Sequence, residues 1–173
     1  KDEKISTMIS VKDKKIEHQT LFFATKKGIV KRTALKDFER INKNGKIAIN
    51  FKEDDELLAV RLTDGTKDVI LGTNNGLLTR FDENDIRIMG RTAAGVRGIR
   101  LREDDEVVSM EVIEDDAYIL HVTDNGIGKR TKVEEYRKTN RGGLGYFVCR
   151  LTEETGPVVA VKIVEGHEDL MLI

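Results

Sequence analysis

An all-β, propeller-like repeat fold is what this sequence predicts, on three observations. Related segments return at intervals of about 50 residues: Gly45, Gly95 and Gly145 sit in the similar runs NKNGKIAINFK, IMGRTAAGVRGIRLR and NRGGLGYFVCR, and a period of this size marks a repeat architecture. Apolar residues come in short alternating runs or blocks, with no 3.6-residue period anywhere in the chain, which argues for strands over helices. One proline against fifteen glycines suits short strands joined by turns. Four short strands per unit give blades set around an axis, each burying its faces against its neighbours.

The first strand type, a, recurs at residues 5–11 (ISTMISV), 57–63 (LLAVRLT), 107–113 (VVSMEVI) and 158–164 (VVAVKIV). Its partial alternation is that of a strand with one buried face. A turn at residues 12–15, at Asp64 and Gly65, at residues 114–116 or at Gly166 leads to strand b at 21–25 (LFFAT), 69–73 (VILGT), 119–123 (ILHVT) and 170–173 (LMLI). Lys27-Gly28, Asn75-Gly76 and Asn125-Gly126 then mark hairpins, and Asn-Gly predicts two-residue type I′ turns with positive φ at both positions. Strand c follows as IVKRT, LLTRF and IGKRT, and strand d as IAINF, GIRL and YFVCRL. Acidic corners at residues 53–56 and 103–106, with an echo at Glu153 and Glu154, close each unit. So counted, the units run approximately 5–56, 57–106, 107–157 and an incomplete 158–173, all within a fragment of one domain of about three to four blades. A run broken mid-unit is expected to expose edge strands.

The net charge of −1 hides a strong segregation. Residues 40–52, 86–102 and 136–151 together hold thirteen Lys and Arg and no Asp or Glu. In a radial fold, equivalent positions recur around the circumference, so these segments are expected to line up as a basic band facing the phosphates of a curved duplex. The candidate DNA contacts are Lys43, Lys46, Arg91, Arg97, Arg100, Arg137, Lys138 and Arg141. A solvated face is the plain alternative for any one run; three acid-free copies in register favour polyanion binding.

Within these segments Gly45, Gly95 and Gly145 are expected to make the tight bend before strand d, and glycines here also let backbone N–H groups approach phosphates. Arg32, Arg80 and Arg130, at the same place in each strand c, suit either DNA contact or a structural lock in which the guanidinium fork grips a carboxylate or carbonyls. The structural role is preferred.

Enzymatic readings find little support. There is no Walker-type loop, no metal-ligand cluster and no recognisable Ser/His/Asp arrangement, and residues 90–95 (GRTAAG) lack the following helix that a phosphate-cradling loop needs. Cys149 is the sole cysteine, which excludes an internal disulfide. His18, His121 and His167 stand far apart, without the short spacing of a metal site. No apolar run is long enough to span a bilayer as a helix, and no leader opens the chain, so a cytoplasmic protein without cofactor or metal is expected. The nine aromatics lie mostly in strands and offer no stacking platform for single strands, so the backbone of double-stranded DNA is the expected ligand. With no helix to enter a groove, sequence preference is expected to be weak.

The runs FFATKKGIVKRT, LTDGTKDVILGTNNGLLTRF, IMGRTAAGVRGI and NGIGKRTKVEEYR, in this order, closely resemble the C-terminal domain of the A subunit of bacterial DNA gyrase, through essentially the whole chain; the related domain in the A subunit of topoisomerase IV is the nearest rival. The resemblance implies a β-pinwheel, a disc of about six blades that exchange strands, whose basic rim wraps DNA and favours negative supercoiling. It also implies that the DNA-cleaving tyrosine and the ATPase, with its ATP and Mg, belong to other parts of a holoenzyme that works on the bacterial chromosome and includes the rest of the A chain and the B subunit. The family carries a Gln-Arg-Arg-Gly-Gly-Lys-Gly box in an early blade. Residues 139–145 (TNRGGLG) match it at Arg141, Gly142, Gly143 and Gly145 and depart at Thr139, Asn140 and Leu144, so they are read as a repeat-derived echo, with the box itself expected before Lys1. A propeller-like scaffold that meets an acidic protein partner is the alternative of a different class.

Overall fold

The computed structural model describes residues 4–11, 16–40, 42–52, 54–113 and 116–171. Its strands are β1 Thr20–Thr25, β2 Ile29–Ala34, β3 Leu57–Thr63, β4 Asp68–Thr73, β5 Leu77–Asp82, β6 Val96–Arg97, β7 Val107–Ile113, β8 Tyr118–Thr123, β9 Gly128–Lys132, β10 Tyr146–Phe147 and β11 Val158–Val164. Among the described residues there is no α-helix, only single 3-10 turns such as Leu35–Phe38, Glu83–Asp85 and Val133–Glu135. The strands form three antiparallel sheets, ordered β3-β1-β2-β6, β10-β5-β4-β7 and β11-β8-β9.

Two of these sheets take their outer strand from further along the chain. β6 pairs with β2 through Ile29↔Arg97 and Val30↔Val96, across the whole of β3, β4 and β5, and β10 pairs with β5 in the same way through Tyr146↔Leu78 and Phe147↔Leu77. At the other side each b strand pairs with the a strand that follows it: β1 with β3, β4 with β7, β8 with β11. Counted by sheets, a unit therefore opens at strand b and closes at strand a, a different phase from the numbering of the sequence repeats.

Several expected elements differ. The first copy of strand a, at residues 5–11, forms no strand; every other copy pairs with a b strand upstream of it, and among the described residues this one has none to pair with. Neither IAINF nor GIRL is a strand: the second ladder lies just before GIRL, at Val96–Arg97, and of YFVCRL the pair Tyr146–Phe147 is in a strand. After Arg97 the backbone leaves the ladder because Gly98 and Ile99 both donate to the Gly28 carbonyl (2.8 and 3.3 Å), as Val148 does to Gly76 (3.0 Å). Leu170 and Met171 form no strand. Residues 172–173 of the fourth b copy, the turn at 12–15 and the acidic positions Glu53, Glu114 and Asp115 lie outside the described residues.

The hairpins are not type I′ turns. Gly28, Gly76 and Gly126 have φ of 79°, 77° and 78°, but Lys27, Asn75 and Asn125 are not in the positive-φ region. Each glycine N–H returns to the carbonyl of a threonine three residues back, Thr25, Thr73 or Thr123 (3.1, 3.1 and 2.9 Å). The same threonine's Oγ1 accepts from the residue after the glycine, Ile29, Leu77 or Ile127 (3.1, 3.2 and 3.2 Å). A turn with its only left-handed residue at the end gives a glycine bulge instead. The T-x-x-G spacing, more than Asn-Gly itself, specifies it. The acidic corners brace these turns, since Asp55 and Asp105 accept from the backbone N–H of Lys27 and Asn75 (3.0 and 3.1 Å).

The apolar blocks of strand b are explained by burial on both faces. Val69 and Leu71 of β4 pack in one core with Phe22, Val30 and Phe81, while Ile70 between them faces a second core with Ile119, Val133 and Val161. His121 takes the place in β8 that Leu71 holds in β4. Its imidazole is 2% exposed and neither nitrogen has a hydrogen-bond partner, and it lies 5.9 Å from the Tyr136 ring. Burial, with the nearby Lys129 charge as the second cause, pushes its pKa down to about 4. The unfolded chain therefore binds more protons between that value and about 6.5, and stability should fall as pH drops through this window. Urea midpoints at pH 7.5 and pH 5 are expected to diverge for the native chain and to converge for His121→Leu; an equal drop in both would show that the imidazole is not the group responsible.

Candidate nucleic-acid interface

After each strand c the chain makes a 3-10 turn, and after β5 and β9 it then crosses to the preceding sheet. The arginine at the fixed place in strand c receives the crossing segment of the next unit. Arg32 is 6% exposed; its Nη1 donates to the Glu83 carbonyl (2.9 Å), the Asn84 side chain (2.9 Å) and the Ile86 carbonyl (3.4 Å). Its Nε stands 3.6 Å from the fully buried Glu83 carboxylate. Arg80 Nη1 donates in the same way to the carbonyls of Val133 and Tyr136 (3.0 Å each), while Nε and Nη2 reach Asp68 (2.9 Å each). Arg130, on the exposed strand β9, donates to the Gly166 carbonyl (3.0 Å) and stacks on Tyr118.

Beyond these locks come the basic loops, and the bends at Gly45, Gly95 and Gly145 (φ 71°, 93° and 70°) set their course. A Cβ at Gly95 would lie 2.4 Å from the Val30 carbonyl oxygen and one at Gly145 2.8 Å from that of Leu78, so both glycines stand where backbone presses on strand c. Gly45 has nothing within 4 Å of that position.

The loops are joined to one another edge to edge. Arg91 Nη1 donates to the Ile47 carbonyl (3.2 Å) and the Asn50 amide to the Thr92 carbonyl (2.7 Å), tying the first loop to the second. Arg141 donates from Nη1 to the Arg97 carbonyl (3.0 Å) and from Nε to that of Asp85 (3.2 Å). Gly142 N–H reaches Gly98 (2.6 Å) and Arg100 N–H reaches Gly143 (2.7 Å), tying the second loop to the third. The three acid-free segments thus form one continuous band.

Within the band the cations divide. Lys43, Arg97, Arg100 and Arg137 are exposed. Lys46 is half-buried and donates to the Asp37 carbonyl (3.1 Å); Arg91 and Arg141 are half-buried too, and spend part of their guanidinium on the loop joints. Lys138 differs from the expectation of a DNA-facing charge. Its ammonium sits between Asp68 (2.7 Å) and Asp82 (2.8 Å), hydrogen bonds that raise its pKa and hold it charged, so its charge is already answered by two carboxylates.

Sequence reasoning missed Lys31. From the sequence it takes no role in strand c; it is fully buried, and its ammonium donates to the carbonyls of Ala48 and Arg91. It is a staple beneath the joint between the first two loops. Burial, and secondarily Arg91, bring its pKa down to about 8. Among the described residues no group of three metal-binding side chains occurs, and no helix is long and apolar enough to cross a membrane.

The family model described as "DNA gyrase C-terminal domain, beta-propeller" matches residues 19–64, 67–114 and 117–165. The chain belongs to this family. It thereby belongs to the C-terminal domain of the A subunit of the type IIA topoisomerases, and the strand exchange seen in its sheets is that of a β-pinwheel. The three matched stretches each run from strand b to strand a, the phase in which the sheets are built. The A subunit of DNA gyrase from Staphylococcus epidermidis is 57% identical over 99% of this chain, and that from Staphylococcus aureus 55% identical over the same share; the chain spans 20% of the length of either. Among solved structures, a C-terminal domain of DNA topoisomerase IV matches with a TM-score of 0.80 and 33% identity, over 85% of this chain and 46% of that one. A DNA gyrase A C-terminal domain matches with a TM-score of 0.75 and 27% identity, over 86% and 50%.

Proposed function

We propose that this gyrase-family segment is a non-catalytic module that binds double-stranded DNA along its basic band and bends it, so that the parent enzyme gains a wrapped segment and a bias toward negative supercoiling. One observation carries the reading: the loops that hold Lys43, Arg97, Arg100 and Arg141 are hydrogen-bonded in series, which makes a single cationic track from three stretches with no carboxylate among them. A smooth bend over a few tens of base pairs costs about 1–6 kcal/mol, and a track of several phosphate contacts offsets it where one contact does not. In this reading the ATP- and Mg-dependent steps, the rest of the A chain and the B subunit lie outside these residues, and the whole works on the chromosome in the cytoplasm.

Duplex binding by the full-length chain should weaken steeply with salt, by about 0.9 in log–log slope per phosphate neutralised. A nearly flat salt response, or equal competition by heparin and duplex at matched salt together with capture of a discrete acidic protein, would replace this reading with that of a protein-binding scaffold.

A further inference from the structure

The outward-facing place on the band is not filled by the same chemistry in each loop. Ile47, Arg97 and Phe147 occupy it in turn, at the fixed interval of the repeat. Arg97 shows that the fold itself turns this place to solvent. Its backbone is paired with Ile29 on one side and takes Arg141 on the other, and its side chain is still exposed. Ile47, whose carbonyl already carries Arg91, is 60% exposed, and so is Phe147. Covering a loop by the next one therefore leaves this side chain free.

The third loop is the most apolar at its tip. Leu144, 48% exposed, stands three residues before Phe147, where the first two loops carry Asn44 and Ala94. The Phe147 ring is also held in place: the guanidinium of Arg102, from the second loop, lies over one face at 4.9 Å from the centroid, and the backbone beneath it is pinned to Leu77. Around this apolar tip, residues 136–151 contain no acid, and Arg141 and Arg150 flank it in sequence.

We propose that Phe147, with Leu144, is a wedge that presses into the minor groove of the bound duplex and partly unstacks one base step, so that the third loop kinks DNA as well as neutralising phosphate. This rests on the rim reading above and deepens it. Charge complementarity selects the occupant: an exposed aromatic with the Arg102 guanidinium on one face, set in an acid-free stretch, suits a groove walled by phosphates, where the ring reaches the apolar base faces by parting one step. Apolar side chains inserted from the minor groove repay the unstacking by widening the contact between bent DNA and protein. The sequence offers no aromatic platform for single strands; Phe147, more exposed than Phe51 of the first segment (60% against 48%), is instead a device for a duplex.

The test uses the full-length chain and a duplex that carries 2-aminopurine at successive positions and a dye at each end. The native chain should raise the fluorescence at one step and bring the ends together. Phe147→Ala should abolish most of that rise, open the bend and weaken binding about tenfold, the scale of one base–aromatic contact, with the salt slope unchanged because no charge is lost. Phe147→Leu, which keeps an apolar wedge, should retain the bend. If native protein raises no signal at any step, or if Phe147→Ala leaves signal and bend intact, the wedge is disproved. Arg97→Glu separates the two ideas: when it flattens the salt slope while Phe147→Ala changes nothing, the rim stands and the wedge falls; when neither has any effect, both fall.

Discussion

Replacing Arg32 by alanine is expected to destabilise the fold by about 3–5 kcal/mol, the cost of stranding one partner of a buried ion pair. The partner is Glu83, whose side chain is fully buried. One carboxylate oxygen has the Lys67 N–H (2.9 Å), and the other has no hydrogen bond and only the Arg32 Nε at 3.6 Å. Removing the guanidinium also leaves the Glu83 carbonyl and the Asn84 side chain short of a donor. Lysine at this site brings back a charge without the planar fork, and should recover only part of the loss. The same substitution at the two equivalent arginines should cost less, in a fixed order. Arg80→Ala leaves Asp68 still paired with Lys138, and Arg130→Ala removes one hydrogen bond and the stacking on Tyr118 at an exposed position, about 1–2 kcal/mol. Urea midpoints ranked Arg32, Arg80, Arg130 by size of loss would support this account. Equal losses at all three would mean that the repeat position, and not the buried carboxylate, decides.

That ranking shows what a repeat can and cannot tell a reader of the sequence. The place of the three arginines was legible because a long charged side chain returns after each hairpin glycine, and strands b and c were legible because their apolar blocks need two buried faces. How deeply each arginine is buried was not, since that depends on what lies across from it: Glu83 behind Arg32, Asp68 and Lys138 around Arg80, the Gly166 carbonyl and the Tyr118 ring beside exposed Arg130. Strand d was misjudged for a related reason. Its ladder is two residues long and its partner belongs to the preceding sheet, so local β propensity in IAINF or GIRL says nothing about pairing; the glycine contacts at 95 and 145 decide it. The phase of the units was equally hidden, because a periodic string can be cut at any point and only the β1–β3 and β4–β7 ladders show where a sheet closes.

The basic band was legible as composition and its internal economy was not. Counting charges treats Lys138 and Arg97 alike. In the fold, Lys138 is held between Asp68 and Asp82, while Arg97 lends only its carbonyl to Arg141 and keeps its guanidinium in solvent. Lys31 is the opposite case, a cation outside the acid-free segments that underlies their first joint. Cations that hold the track together and cations that face outward along it are thus separate sets, and they should respond differently to mutation.

Reversing two of the outward charges, Arg97→Glu with Arg100→Glu, is therefore expected to have the largest effect on DNA of any pair in the chain while leaving the fold in place. Both side chains are exposed, and the hydrogen bonds at these positions come from backbone groups, the Arg97 carbonyl and the Arg100 N–H, so the joints survive the substitution. Loss of two phosphate contacts should make the log–log salt slope shallower by about 1.8, and the two new carboxylates add repulsion at the centre of the track. Lys138→Gln should leave the slope unchanged, because a charge already paired with two carboxylates releases no counterion when DNA binds; its cost should appear in the melting temperature instead. Duplex titrations between about 50 and 200 mM salt distinguish the outcomes. A double reversal that leaves the slope as it was, or a Lys138→Gln that flattens it as much, would place the phosphate track on another face of the fold.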